Sequence, residues 1–110
     1  MILNYKYGDI LCATIQVDFK KKIVQVQNFV EDVFYHPFGI AKNPSFEDFK
    51  EFLEERCFPR TNYHAKYYLK QLGLDFYDPL DIVRKTNGKV YGDKFWIEFV
   101  EDYGTEVLHE

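Results

Sequence analysis

The amino-acid sequence predicts an α+β domain in which an antiparallel β-hairpin and a C-terminal strand pack against three short helices. Three observations predict it: β-branched residues alternate by twos between residues 10 and 30, apolar residues recur at helical spacing between residues 45 and 88, and alternation returns at residues 95–99. A length of 110 residues suits one core, so residues 1–110 are expected to form a single domain. Apolar residues make up 46% and aromatic residues 19% of the chain, which is too hydrophobic for a disordered segment.

Residues 1–44 hold the hairpin and a connection. Residues 10–17 and 22–30 are its two strands, with Ala13, Ile15 and Val17 on one face and Val24 and Val26 as their counterparts. Asp18-Phe19-Lys20-Lys21 is short enough to be the turn, and Lys20, Lys21 and Lys22 are expected to solvate it and blunt an edge. Residues 31–44 contain two prolines and Gly39 and read as an irregular or strand-like link.

Residues 45–88 hold the helices. Asn43-Pro44-Ser45 followed by Asp48 has the form of a capping box, and Phe46, Phe49, Phe52 and Leu53 then fall on one face of a helix running to Cys57. Phe58-Pro59 breaks it, because proline lacks the N–H and forces the preceding residue out of the helical region. Thr61 or Asn62 can cap a second helix with Ala65, Tyr68, Leu69 and Leu72 as its stripe, ending at Gly73. The third helix obeys every end preference: Asp78 at the N-cap, Pro79 at N1, Asp81 in the first turn, Arg84 and Lys85 in the last, and Gly88 beyond. Residues 93–100, after a turn at Gly92-Asp93, form the final strand, with Phe95, Ile97 and Phe99 inward and Trp96 on the opposite face. Residues 101–110, acidic and aperiodic, are expected to be loosely packed.

Composition narrows the function classes. Fourteen Lys and Arg against eighteen Asp and Glu give a net charge of −4, without the cationic excess that phosphate binding needs, so direct nucleic-acid binding is not expected. No window approaches a membrane span, and the first residues lack the pattern of an export signal; a cytoplasmic chain with Cys12 and Cys57 as free thiols is expected.

Candidate chemistry is sparse. Cys57 near Arg56, Arg60 and His64 is the one combination that could activate a nucleophile, but a small buried hydrophobe at a helix end accounts for it more simply. The isolated histidines His36, His64 and His109 and the two cysteines give no zinc-ligand spacing, and the six glycines stand singly, with no phosphate loop. No catalytic residue, metal, cofactor or small-molecule substrate is therefore assigned. Arg56-Cys57-Phe58-Pro59-Arg60 sets two guanidinium groups beside a bend, which suits a carboxylate or phosphate; the competing reading pairs Arg56 and Arg60 with acids of the same domain. The surplus of aromatic residues, including Tyr63, Tyr67, Tyr68 and Trp96, points to a partly exposed binding surface.

From residue 37 to 97 the order Pro37-x-Gly39-Ile40, Arg56-x-x-Pro59-Arg60, Arg84-Lys85-x-x-Gly88 and Asp93-x-Phe95-Trp96-Ile97 resembles small bacterial proteins encoded beside HipA-like kinase toxins. The chain departs from the commoner pattern at Thr61-Asn62, where that group has a Ser-Arg or Thr-Arg pair. The resemblance implies an accessory or antitoxin-like subunit that is not an enzyme and binds the kinase toxin or its repressor. Arg56, Pro59, Arg60 and Trp96 are the expected partner-binding residues. The alternative is a phage- or mobile-element-encoded inhibitor of a host nucleoprotein defence system, acting by acidic mimicry of nucleic acid.

Overall fold

A computed structural model describes residues 1–108 and has the expected α+β architecture, with four strands in the sheet rather than three. The strands β1 (Ile2–Tyr7), β2 (Ile10–Asp18) and β3 (Ile23–Asn28) come first. Helices α1 (Phe46–Glu55), α2 (Ala65–Gln71) and α3 (Pro79–Thr86) follow, and β4 (Phe95–Glu101) completes the sheet. All neighbours are antiparallel, in the order β3-β2-β1-β4. The additional strand is β1, which buries Leu3 and Tyr5 and turns into β2 through Gly8, whose φ of +56° suits a residue without a Cβ. The final strand thus joins the sheet through β1, and the hairpin lies on the far side.

One face of the sheet meets the helices. Leu3, Ala13, Ile15, Val17 and Ile97 are buried there against Phe49, Phe52, Leu53, Leu80, Ile82 and Val83 of α1 and α3. Each such aliphatic or aromatic side chain contributes about 2 kcal/mol on burial, which is why a two-layer fold of this size holds together. The other face is polar: Thr14 Oγ1 donates to Asn4 Oδ1 (2.7 Å) and Asn4 Nδ2 donates to Glu98 Oε1 (2.9 Å), a row running across β2, β1 and β4.

The ends of α1 and α3 follow the sequence signals. In α1 the Asp48 N–H donates to Ser45 Oγ (3.0 Å) while the Ser45 N–H donates to Asp48 Oδ2 (2.8 Å), completing the capping box; the helix stops at Glu55 with Arg56 as its C-cap. In α3 the Leu80 N–H donates to Asp78 Oδ1 (2.9 Å), and Asn87 and Gly88, both at positive φ, close the other end.

α2 differs from expectation. Neither Thr61 nor Asn62 caps it: His64 occupies that position without a side-chain bond, and Asn62 Oδ1 instead accepts the His64 N–H (2.8 Å) in a turn before the helix. Only Leu69 of the expected stripe is buried, since this short helix lies at the margin of the core.

The C-terminal segment is also packed rather than loose as far as residue 108. Arg84 donates from Nε and Nη2 to Asp102 Oδ2 and Oδ1 (3.0 and 3.1 Å) and from Nη1 to the Glu106 carbonyl (3.2 Å), and Leu108 is buried. Burial pushes the Asp102 carboxyl up, but the Arg84 guanidinium and the Gly104 N–H outweigh it and hold the group below its ordinary value. His109 and Glu110 of the expected tail lie outside the described residues. In the 31–44 link, a single 3-10 turn (Val33–Tyr35) replaces any strand, and His36 Nε2 sits 2.6 Å from the Val30 carbonyl.

Candidate functional site

Arg56 leaves α1 at its C-terminus and turns inward. It is only 7% exposed, and its guanidinium makes four hydrogen bonds. Nη1 and Nη2 donate to Asp93 Oδ2 and Oδ1 (both 3.0 Å), Nη2 also donates to the Phe95 carbonyl (3.0 Å), and Nε donates to the Gly88 carbonyl (3.0 Å). The paired guanidinium holds the Asp93 carboxyl below its ordinary value. Bidentate geometry and burial make this a strong polar tie between the end of α1 and the segment that enters β4. Arg56 therefore belongs to the scaffold rather than to an exposed contact surface, and the internal-pairing reading is the one the geometry follows. Gly88 is the close approach that permits it: a Cβ there would lie 2.9 Å from Ile97 Cδ1 and 3.5 Å from Arg56 Cβ.

Arg56 forms part of the floor of a groove of about 530 Å³ between α2, α3 and the segment that follows α3. Phe58, Pro59, Tyr68, Leu72, Val90 and Tyr91 make its walls largely apolar. Pro59 is exposed at the rim. Tyr91 is fully exposed, and Tyr68 continues through His64 to Tyr63, which is 95% exposed (ring centroids 6.2 and 5.0 Å apart). Arg60 stands beside the groove, with its guanidinium 4.4 Å above the Tyr77 ring and its Nε 3.7 Å from Glu54 Oε1, half of the side chain remaining in solvent. Such an exposed pair is worth little in stability, so Arg60 is free to exchange Glu54 for another carboxylate. Tyr77 braces the bend by donating its hydroxyl to the Phe58 carbonyl (2.6 Å).

Trp96 lies on the open face of the sheet, as the alternation predicts, half-buried and donating Nε1 to the Gly8 carbonyl (2.9 Å). Lys6 Nζ is 5.1 Å and Lys89 Nζ 5.8 Å from its ring centre. Lys89 also lines the groove, so it links Trp96 to the apolar walls. The structure thus brings Arg56 and Pro59 together in one groove with Arg60 beside it, and joins Trp96 to them only through Lys89. The sequence reading missed Tyr91, whose place after Gly88 and before Gly92 marks a projecting loop between α3 and β4.

Cys57 is buried, with Sγ 3.2 Å from the Leu53 carbonyl and 3.6 Å from the Pro79 carbonyl. Desolvation foremost, aided by Glu54 and Asp78, pushes its thiol up to about 12, the opposite of what a nucleophile needs. Among the described residues no group of three or more His, Cys, Asp or Glu is placed to hold a metal ion, and no helix is long and apolar enough to cross a membrane. A second groove, of about 860 Å³ and more polar, runs past Met1, Phe19, Lys20, Lys22, Phe46 and Leu108. No known protein family, curated protein or solved structure matches the chain.

Proposed function

We propose that this chain is a non-enzymatic protein-interaction module whose contact surface is the groove between α2 and α3. The observation that carries the reading is the exposure of Tyr63 and Tyr91 at an apolar groove flanked by Arg60 and Lys89. Tyrosine and arginine dominate interface hot spots because each combines a large apolar body with a polar tip. The two cations favour a partner segment that offers an apolar anchor beside carboxylates. The resemblance of residues 37–97 to accessory proteins of HipA-like kinases supports a cytoplasmic kinase toxin, or its repressor, as that partner.

Co-expression of the tagged chain with a HipA-like kinase, followed by affinity purification and titration of the complex, tests this. The expected result is a stoichiometric complex that Tyr91→Ala weakens roughly thirtyfold or more, as the loss of an aromatic hot spot does. Arg60→Glu should weaken it as well, by turning an attraction into a repulsion. Binding unchanged in both variants would rule out this groove, and no complex with the kinase or its repressor would rule out the partner.

A further inference from the structure

The two edges of the sheet are finished differently. In β2 the Val17 N–H donates to the Met1 carbonyl and the Met1 amine to the Val17 carbonyl, so the odd residues of β2 face β1 and the even ones face β3. The Phe29 N–H, donating to the Cys12 carbonyl, keeps the same alternation. In β3 the backbone groups of Ile23, Gln25 and Gln27 therefore serve the ladder with β2, and those of Val24, Val26 and Asn28 point away from the sheet. No hydrogen bond from the described residues reaches these outward groups. The strand Ile-Val-Gln-Val-Gln-Asn has no proline or charge, and its register with β2 is unbroken from Ile23 to Asn28, so the usual devices that blunt an edge are missing along it.

We propose that β3 pairs with β3 of a second copy of this chain, antiparallel about a two-fold axis through Val26, extending the sheet across a dimer. In that register residue i faces residue 52 − i. Val26 meets Val26 and Val24 meets Asn28, which exchange backbone hydrogen bonds with their outward groups. On the open face Gln25 meets Gln27, and Ile23 meets Phe29. Ile23 and Phe29 are 50% and 49% exposed in one copy, and an aromatic facing a β-branched residue is a favoured cross-strand pair. Moving the axis by one residue, to Gln25, would set Ile23 against Gln27 and lose that match. The occupant is thus chosen by the self-complementarity of residues 23–29.

Light scattering and sedimentation of the purified chain across micromolar to millimolar concentrations test the proposal. A reversible dimer is expected. Val26→Pro removes an outward donor while leaving the bonds to β2, and should abolish the dimer without loss of the circular-dichroism spectrum. Ile23→Lys should raise the dimer dissociation constant about tenfold by removing the apolar partner of Phe29, and Ile23→Lys with Phe29→Glu should restore it, since opposite charges then face one another across the axis. A chain that stays monomeric throughout, a dimer that a folded Val26→Pro variant still forms, or an Ile23→Lys defect that Phe29→Glu does not repair would each overturn the two-fold pairing. A monomer that gains a strand from an extended segment of another protein would overturn it as well.

Discussion

The edges of β3 and β4 were built from similar runs of alternating residues, yet one is closed and the other is not. At β4 the Ile97 N–H donates to the Asn87 carbonyl (2.7 Å), Asn87 Nδ2 donates to the Ile97 carbonyl (3.1 Å), and the Phe95 N–H donates to Asp93 Oδ1 (3.0 Å), with Arg56 on the Phe95 carbonyl. Side chains and a helix cap thus take the place of a fifth strand. At β3 nothing comparable occurs among the described residues. An edge is finished by the segment that happens to pass it: residues 87–93 leave α3 and run directly along β4, whereas the link after β3 departs at Val30 and turns into the Val33–Tyr35 turn.

The largest test of this contrast opens the closed edge. Arg56→Ala removes four hydrogen bonds and leaves the Gly88 and Phe95 carbonyls without their donor, so a loss of about 3 kcal/mol or more in urea unfolding is expected. Exchange of the Phe95 and Ile97 amides should accelerate with it. Gly88→Ala combines a positive φ of 65° with a contact at 2.9 Å against Ile97, and should cost about 2 kcal/mol in the same assay.

Acid should weaken the closed edge next. Because Asp93 is held below its ordinary value in the fold, its contribution is present above about pH 4 and is lost as the pH falls through the folded value. Asp102 has the same sign and adds to the loss. Urea midpoints measured from pH 7 downward should therefore be flat to about pH 5 and fall below about pH 4. The smallest effect belongs to the open edge: Gln27→Lys faces solvent and should change the stability of the monomer by less than about 0.5 kcal/mol.

Local signals made much of the fold legible. Ser45 with Asp48, and Asp78 with Pro79, act within one helical turn, so their meaning does not depend on the rest of the chain. The faces of β2 and β4 were readable for the same reason. β1 was not singled out, although Tyr7-Gly8-Asp9-Ile10 is a two-residue hairpin signal; Asn4 and Lys6 on the polar face diluted a six-residue apolar pattern. The role of Arg56 could not be read from its neighbours, because its partners lie 32 to 39 residues away. Arg84 was legible as a cation at a helix end, but not as the anchor of Asp102. The candidate groove was legible in part: Pro59 and Arg60 were visible as a bend with a cation, whereas Tyr91 gains its place only when α2 and α3 come together.

The place of β1 in the sheet has a consequence for biosynthesis. Its partner on one side, β2, follows after two residues, but its partner on the other side is β4, and Tyr7 waits for Phe95. At roughly 5–20 residues per second a ribosome takes on the order of ten seconds to make that stretch. Throughout that interval the sheet of a nascent chain can reach no further than the β1–β2–β3 meander, with an inner strand of the finished sheet exposed at its border. Completion of the sheet is thus coupled to the end of translation of the domain, and a ribosome stalled before residue 95 would hold a chain with two uncovered borders instead of one.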